Sequence, residues 1–142
     1  MKALYRAVAV ATAMAIGPSA FAVPHNHARK LFLASAKSRH AFVELEAAAK
    51  SGNAAAQDWL GLDYQSGYSK GLSRSYQIAL KWFEKAARKG DANAEFNLGQ
   101  MYQVGAGVPR NFAKARHWYR LAAAGGSTEA KYSLEVLAEL AR

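Results

Sequence analysis

Apolar residues along most of this chain recur every three or four positions, which is the spacing of an amphipathic helix. Two stripes show this most clearly, and they have the same internal spacing: Ala56, Leu60 and Tyr64, then Ala94, Leu98 and Tyr102. Alanine is common, whereas the 142 residues include only three prolines. Because alanine has the highest helix propensity and proline the lowest, this composition also favours an all-α fold.

Residues 54–90 and 92–126 are two copies of one unit. The offset between the copies is 38 residues up to Gly67 and 36 residues from Gly71 onward. The difference is a two-residue insertion within residues 68–70 of the first copy. An insertion confined to a turn is what a helix–turn–helix repeat tolerates. The unit therefore predicts two helices, A and B, joined by a turn.

Residues that favour helix N-caps stand at equivalent positions in the copies. They are Asn53, Asp91 and Ser127 before successive A helices, and Ser75 and Asn111 before the two B helices. A short polar side chain at such a position accepts a hydrogen bond from a backbone N–H that the helix leaves unpaired. These five residues therefore predict where each helix begins.

Partial copies flank the two full ones. Residues 48–52 match the end of a helix B, and residues 128–134 match the start of a helix A. We therefore assign residues 41–142 to one repeat domain, an α/α superhelical solenoid of two full repeats with flanking half-repeats. Terminal repeats of such arrays depart from the consensus because one of their faces meets water.

Residues 23–40 are expected to form a separate, partly helical N-terminal segment. Leu31 and Phe32, together with Phe42, could present an apolar face that covers the first repeat. Dimerisation through an exposed end is the alternative, and the sequence leaves the oligomeric state open.

Several residues are predicted to hold the repeat together. They are Leu60, Gly61, Tyr64 and Trp82 in the first copy, and Leu98, Gly99, Tyr102, Trp118 and Tyr119 in the second. Gly61 and Gly99 fall inside helix A, where glycine costs about 1 kcal/mol relative to alanine. Their recurrence predicts a close helix contact that leaves no space for a Cβ, and Glu135 at the third such position predicts an unpacked face. One aromatic of each pair, 82–83 and 118–119, should face helix A.

Residues 1–22 have the pattern of a secretory signal peptide. A short basic start precedes an apolar run at residues 7–16 and the small-x-small sequence Ala20-Phe21-Ala22. The run is shorter than the roughly 20 apolar residues that a membrane-spanning helix needs. We therefore expect export to the periplasm or beyond, with a mature chain that starts near Val23.

Charge and cysteine content narrow the classes of function. The chain has a formal charge of +9 and no cysteine. Export argues against a nucleic-acid partner and leaves acidic proteins or anionic lipid headgroups, while a cationic surface that only aids solubility is the simpler alternative. The basic residues at 81, 85, 88 and 89 share one helix B, and because the second copy lacks this stripe we interpret it as a solvated convex face.

No catalytic or cofactor-binding motif is present. The chain lacks a Gly-x-Ser-x-Gly elbow, a His-Glu-x-x-His helix and a phosphate-binding loop. The absence of cysteine excludes a thiolate zinc site, a disulfide framework and a cysteine nucleophile. We therefore predict a non-enzymatic protein with no cofactor and no metal site.

The aligned positions resemble the Sel-one-like repeat (SLR) family, a relative of the tetratricopeptide repeats. The shared signature is Ala-x-Ala-Gln/Glu-x-x-Leu-Gly-x-x-Tyr-x-x-Gly, then Gly-Val, then Lys-Ala-x-x-Trp-Tyr-x-x-Ala-Ala-x-x-Gly. Residues 92–126 match it nearly throughout, whereas the first copy departs from it at Leu72 and Ile78. The resemblance implies an α/α superhelix that binds proteins or peptides on its concave face.

The resemblance therefore predicts an exported adaptor that binds a partner protein or peptide in the bacterial envelope. An immunity or accessory protein that neutralises one secreted toxin is an alternative that the sequence leaves open. Certain cysteine-rich relatives are linked to β-lactam binding. The lack of cysteine and of a catalytic motif argues against that branch and against a hydrolase.

The predicted partner-binding residues lie on helix A outside its packing stripe. They are Asp58, Trp59, Leu62, Phe96, Asn97, Gln100 and Tyr132. Aromatic side chains at such positions are common binding anchors, and Phe96 is expected at the centre of the concave face. The competing expectation is that the aromatics pack between adjacent repeats or against the N-terminal helix, and that the polar residues are ordinary solvated ones.

Overall fold

The computed structural model describes residues 25–69 and 71–141, which form seven α-helices. In chain order these are α1 His25–Ser35, α2 Arg39–Lys50, α3 Ala54–Ser66, α4 Tyr76–Ala87, α5 Ala92–Val104, α6 Phe112–Ala124 and α7 Thr128–Glu139. No helix in these two ranges has the length and apolar character needed to cross a membrane. The predicted signal peptide lies outside the described residues.

Successive helices pack against one another in a repeating order. The most extensive contacts join α3 to α4 and α5 to α6, which are the A and B helices of the two full repeats. Smaller contacts join α4 to α5 and α6 to α7, and so connect one repeat to the next. The all-α repeat solenoid predicted from the periodicity is therefore confirmed.

The predicted helix starts are also confirmed. In each case the side chain of the N-cap residue accepts a hydrogen bond from a backbone N–H in the first turn: Asn53 from Ala56, Ser75 from Ile78, Asp91 from Asn93 and Ala94, Asn111 from Lys114, and Ser127 from Ala130. Helices α3 and α5 end at Gly67 and Gly105, with φ of 67° and 79°. Glycine suits these C-caps because it adopts the left-handed conformation without strain.

The two interior glycines form the close contacts that their recurrence predicts. A Cβ at Gly61 would lie 2.6 Å from Cε1 of Phe83, and one at Gly99 would collide with the ring of Tyr119. Phe83 and Tyr119 are fully buried, so they are the aromatics that face helix A. In each repeat, a ring of helix B therefore rests directly on the backbone of helix A.

Helices α1 and α2 form a further hairpin that covers the first repeat. Leu31 is buried in the same core cluster as Leu45 and Leu60, and Phe32 and Phe42 pack against that cluster. Helix α1 contacts α3 as well as α2. The described part of the predicted N-terminal segment, residues 23–40, and the start of the predicted repeat domain therefore lie in one hairpin, because α1 and α2 share this core.

The insertion in the first repeat supplies partners for a buried carboxylate. Asp63 is fully buried, and it accepts hydrogen bonds from the backbone N–H of Ser69 at 2.8 Å and from the Ser69 hydroxyl. The hydroxyl of Ser35, at the end of α1, lies 3.4 Å from the same carboxylate. The second repeat has the apolar Met101 at the equivalent position, also buried. The inserted turn is therefore part of the core at this end of the array.

Candidate partner-binding face

The A helices share a row of equivalent positions that neighbouring helices cover only in part. On α5 this row consists of Asn93, Asn97, Gln100 and Val104, which are spaced at i, i+4, i+7 and i+11. The equivalent residues are Ala55, Trp59, Leu62 and Ser66 on α3, and Glu129, Ser133, Val136 and Leu140 on and just after α7. We call these twelve positions the A-helix face. All of them are exposed or half-buried.

The A-helix face changes character along the array. Its first helix contributes the half-buried Trp59 and Leu62, and its last contributes Val136 and Leu140. Between them α5 presents side-chain amides, of which Gln100 is exposed and Asn97 is half-buried. Amides carry both donors and acceptors, so this central strip is suited to hydrogen bonding with a peptide backbone. Trp59, Leu62, Asn97 and Gln100 were predicted as partner-binding residues.

Phe96 lies in a different place from the centre of this face. Its ring packs 5.6 Å from the ring of Tyr119, centroid to centroid, against the cluster that also buries Ala122 and Ala130. The position points along the array toward the next repeat. Phe96 therefore fills the joint between repeats, which was the competing expectation, and Gln100 takes its place as the exposed residue at the centre.

Tyr132 occupies the repeat position of Phe96 but has a different environment. It is 68% exposed, because no further A helix packs beyond α7 in the described part of the chain. Of the three aromatics predicted as anchors, Tyr132 is the most exposed.

Trp59 packs against the N-terminal helix. Its ring lies 5.0 Å from that of Phe32, and the Phe32 ring in turn stacks at 4.9 Å on Tyr68 of the inserted turn. Trp59 remains half-buried, so one edge of its ring stays on the A-helix face. The insertion and α1 thus fix the orientation of this side chain.

Asp58 is neither an open binding residue nor a solvated one. It is only 1% exposed, and its Oδ1 accepts a hydrogen bond from Nδ2 of Asn97 at 2.8 Å. Burial raises the pKa of Asp58 to about 7; the nearby charge of Asp91 adds to the rise, and the hydrogen bond from Asn97 opposes it. Because this bond holds the Asn97 amide in place, Asp58 acts on the A-helix face through Asn97.

A second buried carboxylate lies near the contact between α3 and α5. Glu95 is 7% exposed, and burial raises its pKa, with a further contribution from the charge of Asp91. Asp91 itself accepts the two N-cap hydrogen bonds of α5. Among the described residues no group of three histidine, aspartate or glutamate side chains is arranged to hold a metal ion. These carboxylates organise the joint between repeats.

Comparison with known proteins identifies the repeat. The family model of the Sel1 repeat matches residues 54–91 and 92–127. The chain belongs to the Sel1 repeat family. Sel1 repeat proteins are protein-interaction adaptors, and the family is generally a non-catalytic scaffold.

Similar proteins are found in bacteria and plants. A Sel1 repeat protein from Oxalobacter formigenes has a crystal structure that matches with a TM-score of 0.63 and 38% identity, over 68% of this chain and 28% of that one. A protective antigen of uropathogenic Escherichia coli strains, which displays an SLR fold, matches with a TM-score of 0.69 and 31% identity, over 86% of this chain and 26% of the other.

The ERAD-associated E3 ubiquitin-protein ligase component HRD3B of Arabidopsis thaliana is 39% identical over 98 residues. This match covers 68% of the present chain but only 15% of the plant protein. The likeness therefore concerns one stretch of repeats within a much longer relative.

The sequence did not identify Val104 of the A-helix face or the buried pair of Asp63 and Ser69 beneath the first repeat. Val104 is 70% exposed and completes the stripe on α5, and its spacing from Asn97 and Gln100 is the signal that could have identified it. The pair of Asp63 and Ser69 was also missed. The signal was available in the alignment of the two copies, because Asp63 stands where the second copy has the apolar Met101.

Proposed function

We propose that this Sel1 repeat protein is a non-enzymatic adaptor of the bacterial envelope that holds a partner protein or peptide on its A-helix face. The observation that carries the proposal is that equivalent positions on three successive A helices are exposed or half-buried, with amides on the middle helix and apolar side chains on the first and the last. Apolar side chains beside hydrogen-bonding groups form the usual anatomy of a recognition surface.

The order of residues on this face favours a segment that crosses the A helices. Trp59 and Leu62 offer one apolar contact, and Val136 and Leu140 offer a second at the far end. Gln100 and Asn97 lie between them and can pair with backbone groups of the bound segment. Because the Asp58 bond holds Asn97 before binding, less conformational entropy is lost when the partner docks.

The envelope location rests on the sequence of residues 1–22. A basic start, a short apolar run and a small-x-small motif are the three features of a cleaved secretory signal. Fractionation of cells, followed by N-terminal sequencing of the purified chain, tests this part of the proposal. We expect a periplasmic or secreted chain that starts near Val23, and a cytoplasmic chain that retains Met1 would contradict it.

Site-specific photocrosslinking in cells tests the binding face. A photoreactive amino acid at Gln100 should crosslink to a discrete partner, which mass spectrometry then identifies. The matched control is Gln77, an exposed glutamine on helix α4, where no specific product is expected. Equal crosslinking from both positions would refute the A-helix face as the site.

Binding to the identified partner supplies the quantitative check. Gln100→Arg should weaken the affinity at least about tenfold, because it places a bulky cation at the centre of the interface, whereas Gln77→Arg should leave it within about twofold. If the captured partner is a secreted toxin whose activity this protein abolishes, the function is that of an immunity protein that uses the same face.

A further inference from the structure

Acidic and basic residues are distributed unequally between the two kinds of helix. The A helices α3, α5 and α7 contain the acids Asp58, Asp63, Glu95, Glu129, Glu135 and Glu139, with Lys131 as their one basic residue. In the B helices α4 and α6 the basic residues are Lys81, Lys85, Lys114, Arg116 and Arg120, with Glu84 as the one acid. Within the repeat hairpins, positive charge therefore lies mainly on the B helices and negative charge mainly on the A helices.

The exposed residues of the two B helices form a single pattern. Positions 78, 81 and 85 on α4 are equivalent to positions 114, 117 and 121 on α6, and all six side chains are exposed. They are Ile78, Lys81 and Lys85 on α4, and Lys114, His117 and Leu121 on α6. We call these six residues the B-helix face. It mixes cations with single aliphatic side chains on both helices.

Few acids neutralise these cations. Glu84 lies 4.0 Å from Arg88, beyond the end of α4; the Arg88 side chain is largely exposed and that of Glu84 is partly exposed. Residues 110–126, which include all of α6, contain no acidic residue. Lys89 differs from the others because its ammonium donates a hydrogen bond to the carbonyl of Gly52, and we therefore leave it out of the face.

Three cations on or just before the B helices lie over aromatic rings: Lys85, Arg110 and Lys114, the last over Tyr102 at 5.1 Å. The Lys85 ammonium is 4.4 Å from the ring centroid of Trp82, and the Arg110 guanidinium is 5.5 Å from that of Phe112, which is itself 42% exposed. Ile78 and Leu121 are 39% and 40% exposed. Basic side chains with apolar stems, interspersed with aromatic and aliphatic groups, are typical of surfaces that lie at a membrane–water interface.

The two B helices lie close enough to act together. Trp118 of α6 packs against the core cluster that contains Ala79 and Phe83 of α4. The turn before α6 also approaches the start of α4, since a Cβ at Gly107 would lie 2.7 Å from Cβ of Tyr76. Because equivalent positions of neighbouring repeats point the same way, the exposed side chains of α4 and α6 form one surface.

We infer that the B-helix face docks the protein on an anionic lipid surface, by pairing its lysines with headgroup phosphates and placing Ile78 and Leu121 at the level of the headgroups. The charge is spread over the exposed sides of two neighbouring helices, which matches a laterally continuous anionic surface. The separate aliphatic side chains fit the same interface, because each can enter the headgroup layer independently of the other. In this orientation the A-helix face remains free for a protein partner.

Vesicle sedimentation tests this inference. The full chain should bind phosphatidylcholine vesicles that contain about one-third phosphatidylglycerol, and high salt should weaken the binding because it screens the headgroup charge. Binding to pure phosphatidylcholine vesicles should be far weaker. Equal binding to both kinds of vesicle would overturn the proposal. Every variant is prepared with the same N-terminal residue, so any contribution from the chain before α1 is common to all.

Charge reversal identifies the surface. The triple variant Lys81→Glu, Lys85→Glu and Lys114→Glu should lose on the order of a hundredfold in vesicle affinity, at about fivefold or more for each cation removed from the interface. The matched control is Arg29→Glu, Lys30→Glu and Lys37→Glu, which makes the same change in net charge at exposed positions near α1 and should cost less than about fivefold. Equal losses would mean that only net charge matters, and would overturn the inference.

Two further comparisons separate lipid from protein partners. Ile78→Ser with Leu121→Ser should reduce binding several-fold even at high salt, because these side chains contact the interface through apolar surface. Soluble polyglutamate should compete poorly with the vesicles, and tighter binding to polyglutamate would indicate an acidic polypeptide instead. Gln100→Arg should leave vesicle binding unchanged, so failure of the A-helix proposal and failure of this one are distinguishable.

Discussion

The side-chain amide of Asn97 donates a hydrogen bond to the carboxylate of Asp58, with Nδ2 2.8 Å from Oδ1. The bond joins the A helices of two consecutive repeats, and the carboxylate that accepts it is buried. A buried carboxylate is costly in its charged form, and one amide donor offsets that cost only in part. The joint between the repeats therefore contains a group that titrates near neutral pH.

This geometry predicts that Asp58 makes stability depend on pH. Its pKa is about 7 in the folded chain against 3.8 for the unperturbed group, so the folded state binds the proton more tightly than the unfolded state. The free energy of unfolding should fall as pH rises from about 4 to about 7, by up to roughly 4 kcal/mol from this group alone. Urea unfolding followed by circular dichroism across this range measures the effect.

Asp58→Asn isolates the contribution of the carboxylate. The asparagine can still accept the hydrogen bond from Asn97 but cannot ionise. The variant should be close to the parent in stability at pH 4 and more stable than the parent at pH 8. A variant with the same stability deficit at every pH would show that Asp58 acts through its shape and not its charge.

Adding one methyl group at Gly99 should destabilise the fold. Gly99→Ala places a Cβ against the ring of the buried Tyr119, and the overpacking should cost about 2–3 kcal/mol. The gain in helix propensity, about 1 kcal/mol, recovers only part of this cost. Thermal unfolding should show a lower Tm than that of the parent chain.

The C-terminal half-repeat, helix α7, provides the control for this substitution. Glu135 has the same repeat position as Gly99 but is exposed on α7. Glu135→Ala should therefore change the free energy of unfolding by less than about 0.5 kcal/mol. Equal destabilisation at Gly99 and at Glu135 would contradict the contact with Tyr119.

The inserted turn should stabilise the first repeat through Ser69. Ser69→Ala removes a hydroxyl that donates to the fully buried Asp63, and it should cost about 1–3 kcal/mol because the carboxylate loses a partner. Ser66→Ala is the matched control, since that exposed hydroxyl bonds only to carbonyls of its own helix and to the next turn. A loss confined to Ser66→Ala would exclude this role for the insertion.

Removal of the Phe32 ring should weaken the packing of helix α1 against the first repeat. Phe32→Ala deletes the contacts with the rings of Trp59 and Tyr68, and we expect a loss of about 2–3 kcal/mol. Tryptophan emission should also shift to longer wavelength as Trp59 becomes more hydrated. Leu33→Ala, on the exposed side of the same helix, should cost less than about 1 kcal/mol and leave the emission unchanged.

The parts of this fold that sequence predicted are those that repetition or local chemistry encodes. A residue such as Asp91 can be identified as a cap because capping involves only its own helix, and Gly99 can be identified as a contact because Gly61 recurs at the same position. Neither step needs knowledge of a distant partner.

The missed features depend on pairs that are distant in sequence. Spacing alone cannot tell whether Phe96 points to a ligand or to the next repeat, because both directions lie outside the stripe that faces helix B. Asp63 is satisfied in part by Ser35, which is 28 residues away on another helix. The choice between Trp82 and Phe83 likewise depended on which ring could lie on Gly61.

The unequal packing of the helices has a mechanical consequence. A ring of helix B lies directly on a glycine of helix A, so each hairpin should move as a rigid unit. The contacts between hairpins are less extensive and should therefore deform more easily. A partner that bends the array should therefore rotate whole hairpins about the turns at Gly90 and Gly126, and the packing inside each hairpin should stay unchanged. The array would then accommodate partners of different curvature by changing its pitch.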